Sequence, residues 1–385
     1  MKSYLYRVIT GEIVGFRPTV LLALLIPLSW MYRIIIQLRG WLYDLRLLKP
    51  KRLPRPVISV GNIVAGGTGK TPAVIWVAKA LRQEGVSVAI LLRGYGRQSE
   101  QSVGIVSDGK EVFMSVEASG DEGAMITSEL CRDNTLALAH CGKKKPASTF
   151  VLIGKDRYAA GIQAIRSGNV EALILDDGFQ HRKLARNLEI VTIDATQPFG
   201  TGKLLPAGTL REPASALRRA DLILITRIDL IESPFQIRKT IEKLAPGTPI
   251  VESCHQPTEL YRLGTNEKFE LHLLKGKRLL AVCGIGNPKA FADTLRRCQP
   301  KCVKLLAFPD HHRYTQKDMC QIQDCANQTQ ADLIVTTRKD EQKLLFISEG
   351  MQMLVLAVEL VITNGRDVLD QKLRECVSAM DEQMG

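Results

Sequence analysis

The sequence predicts an α/β protein: a parallel-sheet domain, a second and smaller α/β domain, and an apolar helical segment in front of both. Three observations carry this. Short β-rich apolar runs alternate with helix-length stretches, a glycine-rich loop follows the first run directly, and positive charge and grease are concentrated before the alternation starts. At 385 residues the chain exceeds one ordinary domain. Its 45% hydrophobic and 24% charged residues, with 30 Gly and 17 Pro, are those of a globular chain and exclude collagen-like, low-complexity and wholly disordered classes. The nine cysteines are an odd number with no CxxC pair, which reads as reduced thiols in a cytoplasmic protein rather than a disulfide framework or a zinc site.

Residues 1–55 carry ten Lys or Arg against Glu12 and Asp44, a net +8 of the chain's +12, so the other 330 residues share +4. Charge so segregated argues against a basic nucleic-acid face spread over the fold. Pro18 to Tyr32 is fifteen residues without a charge, short of the roughly 20 that span a bilayer. Arg33 interrupts the run and Pro27 sits inside it. Trp30, Tyr32, Trp41 and Tyr43 lie beside it, where amphipathic rings suit a headgroup layer. Residues 1–48 are therefore expected to associate with an anionic membrane surface. A spanning helix with Arg33 snorkelling, and a helix packed on its own domain, are the other two readings.

After the proline-rich break at 49–56 come the runs 56–60, 87–92, 149–154, 171–175, 188–194 and 220–226, whose alternation with helical stretches predicts a parallel sheet covered on both faces. A second series starts near 278 with RLLAVCGI, VKLLAFPD and ADLIVTT. The segment 255–277 breaks the rhythm and is read as the junction, giving a core domain over 49–268 and a smaller domain over 269–385.

The first run leads into Gly61 and then Gly66-Gly67-Thr68-Gly69-Lys70-Thr71. Glycines let backbone N–H groups wrap phosphate oxygens, Lys70 can reach the β and γ phosphates, and Thr71 can ligate Mg²⁺. The strict GxxxxGK[ST] pattern wants Gly at position 64, which is Val here. The run at 171–175 ends in Asp176-Asp177, the arrangement of a Walker B carboxylate that holds Mg²⁺. Together they define a P-loop NTPase-like domain using ATP and Mg²⁺. Thr226-Arg227-Ile228-Asp229 also ends a strand, as the guanine-reading NKxD motif does, so a membrane-associated switch of the partition or GTPase type is the competing class. Partition proteins carry Lys where Ala65 stands, and GTPases carry Asn where Thr226 stands; both positions point away from that class.

GNIVAGGTGKTP, LLRGYGR (91–97), GDE (120–122), LDDGFQHRKLARNLEIV (175–191), LLPAGTLREP (204–213) and FPDHHRY (308–314) follow in this order. With them the chain resembles the tetraacyldisaccharide 4'-kinase family over most of its length. The resemblance implies transfer of the ATP γ-phosphate to the 4'-hydroxyl of an acylated glucosamine disaccharide 1-phosphate in lipid A biosynthesis, at the cytoplasmic face of the bacterial inner membrane. It implies that Lys70, Thr71, Asp176 and Asp177 contact the nucleotide and its Mg²⁺. It makes Asp121 the catalytic base and pairs His311 with it across a domain cleft. Arg93, Tyr95, Glu122, Arg157, Gln180 and His181 are implied to line the headgroup site, with Arg211 and Glu212 close by. One departure from the family is Gly123, which stands where GDEP has proline.

Overall fold

The computed structural model describes the chain apart from residues 1, 12, 95–102, 138–146, 266, 346, 348–350 and 385, and gives backbone alone for 2, 3, 116, 117, 121, 131–137 and 379–384. The chain forms two compact units, one of residues 1–253 and 362–385, the other of residues 254–361.

The first unit opens with α1 (Lys2–Ile9) and the long α2 (Phe16–Asp44). The sheet elements follow as β1 (Val57–Gly61), α3 (Lys70–Gln83), β2 (Val88–Leu92), β3 (Val103–Ser107), α4 (Val116–Ala137), β4 (Thr149–Gly154), α5 (Arg157–Ser167), β5 (Ala172–Asp176), β6 (Leu188–Asp194), β7 (Leu222–Thr226), α6 (Phe235–Leu244) and the start of β8 (Ile250–Arg262). Their order across the sheet is β8-β7-β6-β1-β5-β2-β4-β3, parallel throughout except that β3 runs antiparallel to β4. Parallel strands need crossovers, and the crossover helices bury both sheet faces, which is why every residue of β1, β2, β5 and β6 is buried. Ala160 and Ala164 of α5 cover the face made by Leu91, Leu152, Leu173 and Leu175. The alternate residues Ile58, Val60, Ile90 and Ile174 point to the opposite face and are equally buried.

The second unit continues β8 and adds β9 (Lys268–Phe269), β10 (Arg278–Cys283), α7 (Pro288–Arg296), β11 (Cys302–Ala307), α8 (Gln316–Thr329), β12 (Leu333–Thr337), α9 (Arg338–Leu345) and most of β13 (Met353–Asn364). Its parallel strands run β11-β10-β12-β13. The chain then returns to the first unit through α10 (Arg366–Met384).

The segment read as a junction is instead partly regular: β8 runs through Arg262 and pairs with β9. Nor does Pro27 end the apolar helix, because α2 continues unbroken for 29 residues. Its less exposed positions are Pro18, Leu21, Leu22, Leu25, Ile26, Ser29, Tyr32, Ile36, Gly40, Leu42 and Tyr43, which gather in a stripe along one side of the helix. The stripe is tied down by polar bonds. Ser29 donates its hydroxyl to Leu204 O at 2.9 Å and accepts from Ala207 N at 3.0 Å, and Tyr32 donates to Arg211 O at 2.9 Å. The rest of the helix is bare, with Trp30, Ile34, Leu38 and Trp41 all more than half exposed.

Tight approach between β1 and the turn after β5 fixes one glycine. A Cβ on Gly61 would stand 2.5 Å from both Cβ and N of Phe179, which is itself fully buried. Gly61→Ala is expected to lower unfolding stability by about 1–3 kcal/mol through overpacking. Urea denaturation of the full chain measures this, and an unchanged midpoint contradicts the packing described.

Candidate active site

β1 pairs with β5 in parallel, Val60 opposite Asp176, so the loops leaving both strands emerge at the same sheet edge. The loop after β1 runs extended at first. Ala65 N bonds Thr209 O at 2.7 Å, Arg211 N bonds Ile63 O at 2.8 Å, and Val64 forms a bridge with Leu210 while its side chain joins the core. That pairing accounts for Val at position 64, where a strict motif has glycine: the position is a buried strand-like residue. Glycine is required further on, at Gly66 (φ 132°) and at Gly69, which caps α3 in the left-handed region (φ 83°). Asn62, fully buried, donates to Val64 O at 2.6 Å and to the Thr68 hydroxyl at 2.8 Å, holding the loop's waist. Lys70 and Thr71 form the first turn of α3, at the positive end of the helix dipole.

Across the edge, Asp177 sits in the left-handed region (φ 53°). Arg211 Nη1 contacts both its carboxylate oxygens at 2.8 Å, and Lys70 Nζ lies 3.4 Å away. Burial pushes the Asp177 carboxyl up, but the Lys70 and Arg211 charges outweigh it and hold it below the usual carboxylate range. Asp176 is the opposite case. It is 3% exposed, its Oδ1 has no hydrogen-bond partner, and burial, with the Glu122 and Asp177 charges adding to it, pushes its pKa up to about 8. An acceptor-only oxygen buried without a donor is a seat for a cation.

Arg157 stands behind this pair rather than at the surface. It is 3% exposed, donates to Gly154 O at 2.8 Å, and feels Asp176, Asp177, Glu122 and Arg93 electrostatically; burial first of all lowers its pKa to about 10. Gln180 is committed to the scaffold, donating to Asn62 O at 2.8 Å and receiving Arg39 Nη2 on its carbonyl at 2.9 Å. Glu212 bonds Arg219 at 2.8 Å, and that guanidinium lies 4.2 Å over the Phe179 ring. Arg186, which sequence reasoning did not single out, donates to Gly178 O at 2.6 Å and pairs with Glu189 at 3.0 Å, fixing the turn that carries Gln180 and His181.

Arg93 ends β2 with an exposed side chain. Asp121 lies in α4 immediately after Gly120, whose non-helical φ of 75° kinks the helix; the Asp121 side chain and all of Tyr95 lie outside the described residues. His311 belongs to the second unit, at the end of β11, with φ 60° and a side chain 42% exposed. Next to it His312 stacks on Phe308 with ring centres 4.9 Å apart and bonds Asp318 at 3.1 Å.

The sequence profile of the Tetraacyldisaccharide-1-P 4'-kinase family matches residues 21–378. The chain is 39% identical over 355 residues to a tetraacyldisaccharide 4'-kinase from Pelobacter propionicus, covering 91% of each chain. To the enzyme of that name from Syntrophus aciditrophicus it is 41% identical over 324 residues, 82% of each. The crystal structure of LpxK from Aquifex aeolicus in complex with ATP superposes with a TM-score of 0.70 at 30% identity, covering 93% of this chain and 99% of that one.

His181 is partly buried among cations. Burial, reinforced by Arg157, Arg186, Arg39 and Lys183, lowers its pKa to about 4, against 6.5 for a free histidine. The unfolded chain therefore takes up this proton as pH falls below 6.5 while the folded chain resists it. The stability this neutral imidazole contributes is complete above pH 6.5 and is lost between pH 6.5 and 4. His181→Asn should flatten the pH dependence of the urea midpoint between pH 7.5 and 5 by the equivalent of about 1–2 kcal/mol, discounted for partial exposure. Identical slopes for variant and wild type would contradict the assigned environment.

Proposed function

The chain belongs to the Tetraacyldisaccharide-1-P 4'-kinase family, and from that premise we infer that its glycine loop holds ATP while the loops around Asp177 present the sugar. It is a lipid A 4'-kinase, moving the γ-phosphate of ATP to the 4'-hydroxyl of a tetraacylated glucosamine disaccharide 1-phosphate. The family membership sets aside the competing switch class. The observation that carries the site reading is the shared edge of β1 and β5, where Lys70 meets Asp177 at 3.4 Å beside Asp176, whose Oδ1 meets no donor.

Phosphoryl transfer relies on alignment and charge neutralisation more than on covalent help from the protein. Amide hydrogens of residues 66–71 cradle the β-phosphate, and Lys70 meets the charge of the γ-phosphoryl group. The donor set fits Mg²⁺, which takes one or two carboxylates together with phosphate oxygens. Asp176 has the free oxygen for it, and Asp177 and Thr71 are the other holders. Bound with the nucleotide, Mg²⁺ would offset charge on the transferring group. Arg211, paired with Asp177, adds a second cation beside Lys70 at this edge. Asp121 accepts the proton of the sugar hydroxyl late in transfer, with His311 as the residue the family resemblance pairs with it. The cations around His181, namely Arg39, Arg157, Lys183 and Arg186, favour an anionic headgroup. Arg93, Tyr95, Glu122, Gln180, Arg211 and Glu212 complete this substrate group, Gln180 also holding Asn62 O and Glu212 pairing with Arg219.

The bare face of α2 lies in the surface of an anionic membrane at the cytoplasmic side of the inner membrane. Its docked stripe, bolted at Ser29 and Tyr32 to loop 204–211, keeps the headgroup loops at that surface.

Incubating the full-length protein with ATP and the disaccharide 1-phosphate should yield a lipid heavier by one phosphate. Lys70→Ala and Asp121→Asn should each lower kcat by about 10²-fold or more in that assay. A wild-type protein that leaves the lipid mass unchanged overturns the assignment.

Replacing Trp30, Ile34, Leu38 and Trp41 together with serine removes the apolar face and leaves Ser29 and Tyr32 in place. Co-sedimentation with anionic phospholipid vesicles should fall sharply while ATP affinity holds. Undiminished pelleting would locate the membrane contact elsewhere.

A further inference from the structure

β7 lies on the far side of β6 from β1, and the residues at its end reach the glycine loop from behind. Thr226, fully buried, donates its hydroxyl to Thr68 O at 3.0 Å. The next residue, Arg227, donates Nη1 to Gly67 O at 2.9 Å and pairs through the same atom with Asp194 Oδ2. Asp194 is 4% exposed, and its Oδ1 accepts from Thr196 N at 3.0 Å and from the Thr196 hydroxyl at 2.7 Å. Two consecutive carbonyls of the loop are thus held by two consecutive residues of another strand end. Arg227 adopts φ 57° and ψ 36°, a left-handed conformation uncommon outside glycine, and its Nη1 is held between the Gly67 carbonyl and Asp194.

The peptide plane explains why this matters. In a trans peptide the N–H and C=O point to opposite sides, so amide hydrogens can face a phosphate only if the carbonyls face the protein. A glycine pair at 66–67 has no Cβ to limit its rotation, and the orientation must come from what binds its carbonyls. Arg227 supplies that donor, and Asp194 fixes the guanidinium that supplies it.

We propose that Arg227, held by Asp194, is a positioning residue for phosphoryl transfer: by fixing the Gly67 carbonyl, whose own peptide amide, Thr68 N, closes on Gly66 O at 3.1 Å, it sets the turn from which the loop amides that follow face the β-phosphate, without touching the nucleotide. The proposal rests on the reading that residues 66–71 bind the phosphates of ATP. It also gives Thr226-Arg227-Ile228-Asp229 a task other than reading a base, since the first two side chains are spent on the loop.

The test is a comparison of ADP with AMP, measured on the full-length protein by displacement of a fluorescent ATP analogue. Wild type should bind ADP more tightly than AMP. Arg227→Ala should weaken ADP about tenfold while moving AMP less than about twofold. KM for ATP should rise with KM for the disaccharide unchanged. Asp194→Asn should reproduce this pattern, and the double variant should lose little more than either single one. Arg227→Lys, which keeps the charge but loses the planar fork, should fall between and serves if Arg227→Ala does not fold. Equal losses for ADP and AMP, or no loss for either, overturn the positioning role. A wild type that does not distinguish ADP from AMP would instead overturn the phosphate-loop reading beneath it.

Discussion

Parallel pairing of β1 with β5 constrains the rest of the first unit. Both strands are buried on both faces, so their only route to solvent is off their carboxyl ends, and the register with Val60 opposite Asp176 brings those ends level. A cation-bearing loop and a pair of acids are then forced side by side. Two carboxyls so close cannot both be ionised cheaply in a buried place. The chain resolves this by giving Asp177 two cationic partners and leaving Asp176 enclosed beneath it. The result is a buried carboxyl oxygen, Asp176 Oδ1, that meets no donor.

The long helix α2 shows a related division along one element. Its docked stripe meets the loop at 204–211 through two hydroxyls, Ser29 on Leu204 O and Ala207 N and Tyr32 on Arg211 O. The remaining surface carries exposed apolar side chains, among them Leu24, Trp30, Met31, Ile34, Ile35, Leu38 and Trp41. Hydroxyl bonds of this kind set the rotation of the helix about its axis, since a turn of 100° would move Ser29 and Tyr32 off their partners together. The direction in which Trp30 and Trp41 face is therefore fixed by Ser29, Tyr32 and the loop they bind.

What was legible in the sequence follows from which signals are local. The central strands read clearly because burial on both faces makes them near-continuous runs, and Leu188–Asp194 and Thr149–Gly154 fall where the runs lie. The edge strand β3, Val103–Ser107, was not singled out: it is short, antiparallel and preceded by a polar stretch. Nor does periodicity show that β8 continues through a polar segment to Arg262, where its partners are the two-residue β9 and, in the sheet order, β13. At the site, glycines, Lys70 and the acid pair declare themselves by type and spacing. Asn62, Arg186 and the Asp194–Arg227 pair do not, because holding a backbone carbonyl leaves no motif; only the resemblance of 226–229 to a base-reading sequence drew notice to that strand end.

The second unit shows the same logic around FPDHHRY. Phe308, His312 and Tyr314 pack ring to ring at 4.9–5.1 Å, Asp318 holds His312, and Phe308 N bonds Cys283 O at 2.8 Å. Behind them the fully buried Asp340 accepts from Gly284 N at 2.9 Å and from the Thr337 hydroxyl at 2.7 Å, tying the ends of β10 and β12 together. The turn is thus over-determined from within, and the strain of a left-handed His311 is borne by neighbours that have no freedom to relax it. A histidine so placed keeps its imidazole in solvent while its backbone is rigid. In both units buried polar residues at strand ends, Asn62 in the first and Asp340 in the second, fix the backbone of the turns that follow.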